Sequence, residues 1–141
     1  MIRFRTRDLT ALHYEKCSCG RTLVRMDKIM GRCDDMLIIR GVNVFPSQVE
    51  AVLCEAEEYE PYFFITVDRV NNSDVFNIDI EVKEKYYTTD AAILAKMADK
   101  IAHKIQSVCG ITPDVKLVAP NTIQRSEGKA KRVLDKRVFA N

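Results

Sequence analysis

The chain has 141 residues, 47% hydrophobic and 30% charged, which is the balance of an ordinary globular protein with one modest core. Its net charge of +2 argues against a general nucleic-acid binder, and no apolar run approaches the roughly 18 residues that a membrane span needs. The N-terminal MIRFRTRDLT lacks the apolar stretch of a secretory signal. The five cysteines (Cys17, Cys19, Cys33, Cys54, Cys109) are odd in number and irregular in spacing, so reduced thiols in the cytoplasm are expected rather than a disulfide framework.

Residues 1–31 are short polar and apolar pieces rich in arginine, with a Cys17-x-Cys19-Gly20 turn, and they offer no helix and no self-sufficient apolar face. Residues 36–40 (MLIIR), bounded by Asp34-Asp35 and Gly41, predict a buried strand. Phe45-Pro46-Ser47 opens a helix, because proline fixes its own φ and pushes the preceding residue to an extended conformation. Val49, Val52 and Leu53 share one face of that helix, and Ala56 extends it. Residues 62–67 (YFFITV) are β-branched and aromatic, hence a strand, and Asn71-Asn72-Ser73 is a turn. In residues 75–82, Phe76, Ile78, Ile80 and Val82 alternate with Asn77, Asp79 and Glu81, the pattern of a half-buried strand. Thr89-Asp90 is a cap signal for a helix whose stripe is Ile93, Met97, Ile101 and Ile105, widened by Leu94 and Val108 and stopped at Gly110. Residues 115–118 are a last short strand. The resulting β-α-β-β-α-β order is the split ferredoxin-like pattern of an α+β fold, with two helices on one face of an antiparallel sheet. That fold serves many functions, so function must be read from sites.

Gly128-Lys129 lies in RSEGKAKR (residues 125–132). Glycine lets backbone approach a ligand, and the ammonium is a mobile point charge suited to phosphate or a developing oxyanion. The pattern is not a phosphate-cradling P-loop, since Ile123 stands where the upstream glycine would be and Ala130 follows the lysine. Taken alone, a solvated basic tail accounts for it more simply. Asp34-Asp35 behind Gly31-Arg32 reads as a turn, or as a hinge with two alternative ion-pair arrangements. Cys17 and Cys19, with His13 near and Cys33 as a fourth ligand, suggest a metal knuckle, although free thiols are the plainer reading. His103 falls on the helix side away from the apolar stripe, and neither histidine has a nucleophile beside it in sequence, so triad chemistry is unsupported.

Taken together, three segments carry a more specific message. GRCDDMLIIRGVNVFPSQVE (residues 31–50) resembles the hinge motif of adenylate-forming enzymes, specifically of their phenylacetate–CoA ligase branch. Phe4-Arg5-Thr6-Arg7-Asp8 resembles an upstream Y-R-T-x-D motif of that superfamily, and RSEGKAKR resembles its C-terminal lysine motif. The three occur in order and near the expected spacing over essentially the whole chain. The resemblance implies an acid–thiol ligase with a large N-terminal domain for ATP and the aryl acid, and a small C-terminal lid that rotates between an adenylating and a thioester-forming pose. It implies that residues 1–31 are the end of the large domain and residues 32–141 are the lid. It assigns Asp34 to the hinge and Gly41 to the pantetheine arm of CoA. Lys129 falls to the α-phosphate and the substrate carboxylate, Asp8 to the ATP ribose, and Arg32 to the nucleotide. Magnesium would accompany ATP, and Cys17 and Cys19 would form half of a zinc site completed elsewhere.

The departures are Asn43 where distant relatives often carry arginine, Ile38 where they carry lysine, Arg7 in place of glycine, and Glu127 in place of serine or threonine. These fit the phenylacetate branch better than the acetate or fatty-acid branches. With five glycines, the chain contains no phosphate loop and no acid pocket of its own. Met1 also stands close to a motif that lies deep in the parent enzymes, which implies a truncated chain or a split gene, inactive alone, needing the large domain as partner. Neither nucleic acid nor membrane is expected as a partner, and a dimer through an apolar face left by truncation stays open. The competing reading is a non-enzymatic ferredoxin-like module that senses a small molecule or stacks RNA bases on Tyr62, Phe63, Phe64 or Phe76.

Overall fold

A computed structural model of the chain describes residues 5–125 and 132–137. It divides into two compact units, Met1–Met36 and Leu37–Asn141.

The first unit is built from two-residue strands. β1 (Asp8–Leu9) pairs antiparallel with β4 (Gly31–Arg32), and β2 (Leu12–His13) pairs antiparallel with β3 (Arg25–Met26). Between β2 and β3 the chain turns at Cys17–Gly20, where the Gly20 amide donates to the Cys17 carbonyl at 2.9 Å. Leu23, Met26 and Met30 are exposed, and all buried core residues that the structure describes belong to the other unit.

The second unit begins with a hairpin. β5 (Leu37–Ile39) and β6 (Val42–Val44) pair antiparallel around a two-residue turn, Arg40-Gly41, with φ of +49° and +79°. Two left-handed residues give the turn whose twist matches a tight hairpin. α1 (Pro46–Cys54) follows. Pro46 sits in its first turn, and Phe45 and Gln48 close its start: the Gln48 amide donates to the Phe45 carbonyl, and the Phe45 amide donates to Gln48 Oε1. β7 (Tyr59–Val70) and β8 (Ser73–Val82) form a long antiparallel hairpin across Asn71-Asn72, both left-handed. Pro61 is tolerated in β7 because the ladder is irregular between Tyr59 and Phe63. A short 3-10 turn (Glu84–Tyr86) leads to α2 (Ala91–Cys109). Asp90 caps α2 through the Ala92 and Ile93 amides, and left-handed Gly110 ends it, its amide donating to the Gln106 carbonyl. β9 (Asp114–Val118) and β10 (Val133–Asp135) complete the unit.

The sheet order is β10-β7-β8-β9, with β7 antiparallel to β8 and each outer strand parallel to its neighbour. α1 packs on β7, α2 packs on β9, and the two helices touch each other, so both cover one face. Ile39, Val44, Val49, Leu53, Phe63, Ile65, Phe76, Ile78, Ile80, Ile101 and Ile105 fill the space between them. Each fully buried aliphatic side chain contributes about 1.5–3 kcal/mol of transfer energy.

The fold is α+β with the expected succession of elements, but the sheet differs from the ferredoxin-like expectation. It is mixed rather than antiparallel. The strand expected first in it, at residues 36–40, instead folds back on residues 42–44, because Arg40 and Gly41 adopt left-handed conformations and reverse the chain at once. The place beside β7 goes to β10, which enters from the C-terminal side. In α2, Ile101 and Ile105 are buried and Met97 is partly so, whereas Ile93 and Val108 are about half exposed, so the apolar stripe is narrower than its sequence suggests.

Candidate functional site

Three groups of side chains surround the positions that the sequence singles out. The first lies in the first unit. Asp8 and Arg32 stand opposite each other in the β1–β4 ladder. Arg32 grips Asp34 with two parallel hydrogen bonds, Nε to Oδ1 at 3.0 Å and Nη2 to Oδ2 at 2.8 Å, and Arg7 Nη1 approaches the same Oδ2 at 3.8 Å. Burial works against the Asp34 carboxylate, but the Arg32 hydrogen bonds and the charges of Arg32 and Arg7 hold its pKa below the ordinary value. The hydrogen bond from Arg32 to Asp34, reinforced by the charge, raises the guanidinium in turn. Arg7 adopts φ +66°, a conformation that only glycine takes without strain. The motif resemblance puts a glycine at this position, and the backbone shape suits one. Asp8, Arg32 and Asp34 are therefore brought together, with Arg7 added to them.

The second group surrounds Gly41 in the second unit. Nothing lies within 4 Å of the place a Gly41 Cβ would occupy, so glycine serves the φ of +79° and leaves the turn open above. The turn is held from below by Asp74. Its Oδ2 accepts from the Arg40 amide at 3.1 Å, and Arg40 Nε donates to the Asp74 carbonyl at 2.7 Å. Asp74 is only 8% exposed and also receives Arg69 Nε on Oδ1 and Arg137 Nη1 on Oδ2, at 3.1 and 3.0 Å. The amide of Arg40, opposed by burial and joined by Arg69 and Arg137, holds its carboxyl below the usual range. Arg137, itself buried, is oriented by two hydrogen bonds to Asp135.

The third group brackets the lysine motif. Lys129 itself lies outside the described residues, as does Glu127. On its upstream side Glu81, fully buried, accepts from the Ile123 amide at 2.7 Å and from Arg125 Nη2 at 2.8 Å. Arg125 also stacks on Tyr62, 3.4 Å from the ring centroid. On the downstream side Arg132 Nη1 meets Glu50 Oε2 at 2.6 Å, the guanidinium lies over Phe63, and its carbonyl accepts from the Ile65 amide at 2.8 Å. Arg125 and Arg132, the described residues on either side of this motif, are thus tied to β7, β8 and α1.

Glu81, Asp74, Arg137, Arg125 and Arg132 had no place among the sequence candidates. One of them left a signal. Asp74 is in phase with Phe76, Ile78 and Ile80, so an acid occupies the core-facing row of β8. Glu81 alternates like a solvent-facing residue, and its carboxylate is met by the Ile123 amide and Arg125 from the chain that follows β9.

Cys17 and Cys19 bring their sulfurs to 3.1 Å, and hydrogen bonding from Cys19 lowers the Cys17 thiol pKa. His13 is engaged instead with Asp27, Nε2 to Oδ2 at 2.9 Å. Among the described residues no three His, Cys, Asp or Glu side chains form a metal cluster. His103 is exposed on α2. Of the four aromatics considered for base stacking, Phe63 and Phe76 are core, Phe64 is half-buried, and Tyr62 carries Arg125 on its ring.

The AMP-binding enzyme C-terminal domain family matches the chain over residues 41–137. Phenylacetate-coenzyme A ligase of Thermus thermophilus is 45% identical over 97% of this chain and 34% of its own length; that of Escherichia coli is 44% identical over 97% and 31%. Among solved structures, 2-hydroxyisobutyryl-CoA ligase in its postadenylation state superposes with a TM-score of 0.81 at 38% identity, covering 96% of this chain and 29% of that one. A domain of phenylacetate-coenzyme A ligase from Bacteroides vulgatus gives 0.67 at 31% identity, covering 76% of this chain and 97% of that one. The chain spans about a third of the length of the curated relatives it matches. With the family matched across β6, both helices and every strand of the main sheet, the chain belongs to the AMP-binding enzyme C-terminal domain family.

Proposed function

We propose that this chain is the C-terminal part of an ATP-dependent aryl-acid–CoA ligase of phenylacetate type, converting acid, ATP and CoA into acyl-CoA, AMP and pyrophosphate. It works with a large N-terminal domain and is inactive alone. The observation that carries this reading is the 44–45% identity to two phenylacetate-coenzyme A ligases over 97% of the chain, spanning both of its units. Residues 1–31 belong in this reading to the edge of the large domain, and residues 32–141 form the lid.

The chemistry fits the residue types. In the first half-reaction a carboxylate oxygen of the acid bonds to the α-phosphorus of ATP and pyrophosphate leaves. Two anions are brought together, so the Lys129 ammonium lowers the barrier by its charge. Asp8 accepts hydrogen bonds from the ribose hydroxyls, and Arg32 touches the nucleotide. In the second half-reaction the CoA sulfur bonds to the acyl carbon and AMP leaves. For this the lid turns about Asp34, withdrawing Lys129 and presenting Gly41 to the pantetheine arm. The ion pairs that Asp34 makes with Arg32 and Arg7 suit a pivot, since exposed pairs exchange at little energetic cost.

Magnesium would travel with ATP, its ligands drawn from the phosphates and from residues beyond the described clusters. Cys17 and Cys19 offer two thiols to a zinc ion whose other ligands lie elsewhere. No described helix is long and apolar enough to cross a membrane, and all five cysteines are unpaired, which suits a reducing cytoplasm.

The test is to join the chain to the large domain of a phenylacetate–CoA ligase and measure both half-reactions. Thioester formation is expected from the joined protein and not from the chain alone. Lys129→Ala should abolish pyrophosphate exchange, and normal exchange in that variant would remove the role given to Lys129.

A further inference from the structure

The Arg40-Gly41 turn is strained and is held on one side by a single buried carboxylate. Arginine at φ +49° crowds its own backbone, so the turn needs outside support. Asp74 supplies it by bonding the Arg40 amide and, through its carbonyl, the Arg40 side chain. Arg137 Nη1 then joins Asp74 Oδ2 to the carbonyl of Ile38, 2.6 Å away and two residues before the turn. Asp135 fixes the plane of Arg137 by gripping it with both oxygens. The side chains of Arg137 and Asp74 are 5% and 8% exposed. Through these bonds the network ties residues 38 and 40, on one side of the turn, to a single arrangement. The geometry fixed here is that of the peptide at Gly41, whose outer side is open.

Resting on the assignment of Gly41 to the CoA arm, we propose that Asp74, oriented by Arg137, is a positioning residue for the thioester-forming half-reaction. It sets the path that the pantetheine arm follows past Gly41, and it has no part in adenylation. A displacement of the arm by an ångström takes the sulfur out of line with the acyl carbon, and the C–S bond then forms more slowly while the departure of AMP is unaided.

The test uses the complete ligase that carries this chain, with pyrophosphate exchange and thioester formation from preformed acyl adenylate measured separately. Asp74→Asn keeps the volume but loses the charge that binds Arg69 and Arg137. Arg40→Ala, at an exposed position, removes one bond to Asp74 without disturbing the core. Both should slow thioester formation by roughly tenfold or more and leave pyrophosphate exchange within about twofold. Adding Arg40→Gly to Asp74→Asn should recover much of the loss, because glycine holds the turn without the clamp. Parallel loss of both half-reactions in Arg40→Ala would overturn the proposal, as would unchanged thioester formation in Arg40→Ala and Asp74→Asn when Gly41→Leu abolishes it. Should Gly41→Leu itself leave thioester formation intact, the Gly41 assignment falls and the proposal with it. If Asp74→Asn fails to fold, Arg40→Ala decides alone.

Discussion

Arg125 lies 3.4 Å from the centroid of the Tyr62 ring while its Nη2 donates to Glu81 at 2.8 Å, so one guanidinium both stacks on the sheet and neutralises a fully buried carboxylate. Among the described residues, removing it leaves that carboxylate with the Ile123 amide. Breaking a fully buried ion pair costs about 3–5 kcal/mol. Arg125 is 40% exposed, so solvent already screens part of the pair, and Arg125→Ala should cost about 2 kcal/mol. Urea unfolding of the chain measures this. Under about 0.5 kcal/mol of change would mean that Glu81 does not secure the segment leading to Lys129.

The pivot assigned to Asp34 makes a kinetic prediction and a local one. In a complete ligase, Asp34→Ala should slow the thioester step by roughly tenfold through its effect on lid rotation, with pyrophosphate exchange less affected. Equal loss in both half-reactions would place Asp34 elsewhere in the mechanism. The local prediction concerns Arg7, whose carbonyl accepts from the Cys33 amide at 2.8 Å while its φ is +66°. Glycine at that φ relieves about 1 kcal/mol of strain, and the 3.8 Å approach to Asp34 that it removes is an exposed pair of little worth. Arg7→Gly should therefore slow hydrogen exchange at the Cys33 amide. Faster exchange would show that the arginine side chain, rather than the backbone shape, holds that corner.

The elements that could be read from sequence are those decided locally. Phe76, Ile78, Ile80 and Val82 alternate because β8 has one face in the core, and Asp90 and Gly110 bound α2 by capping chemistry that spans a few residues. β10 is three residues with no periodicity of its own. It becomes a strand because β7 offers an edge, with the Ile65 amide bonding Arg132 and the Lys136 amide bonding Val67. Arg40-Gly41 lacks the asparagine–glycine signature of a two-residue hairpin, and the support that makes it one comes from Asp74, 34 residues away. The same contrast runs through the site. Asp8, Arg32, Asp34, Gly41 and Lys129 sit in motifs that a resemblance can find. Glu81 and Asp74 act through partners brought up by the fold, and a residue's neighbours across 40 positions leave no mark on its own segment.

Asp74 and Asp135 also set the response to acid. The Arg40 amide, opposed by burial and aided by Arg69 and Arg137, holds Asp74 below its ordinary value; Arg137 does the same for Asp135, first through its hydrogen bond. A carboxyl depressed in the folded state contributes stability that is fully present above its unfolded pKa of about 3.9 and is lost as pH falls through the lower folded value. Arg137 stays charged throughout, so the carboxyls alone titrate. Stability should therefore be level from neutral pH to about pH 5 and fall steeply below about pH 4. Asp74→Asn removes one of these groups. The variant should be less stable at neutral pH but lose less on acidification, so its curve approaches that of the parent chain below about pH 4. Urea unfolding at a series of pH values draws both curves, and parallel curves would mean that the Asp74 carboxylate is not selectively stabilised in the folded chain.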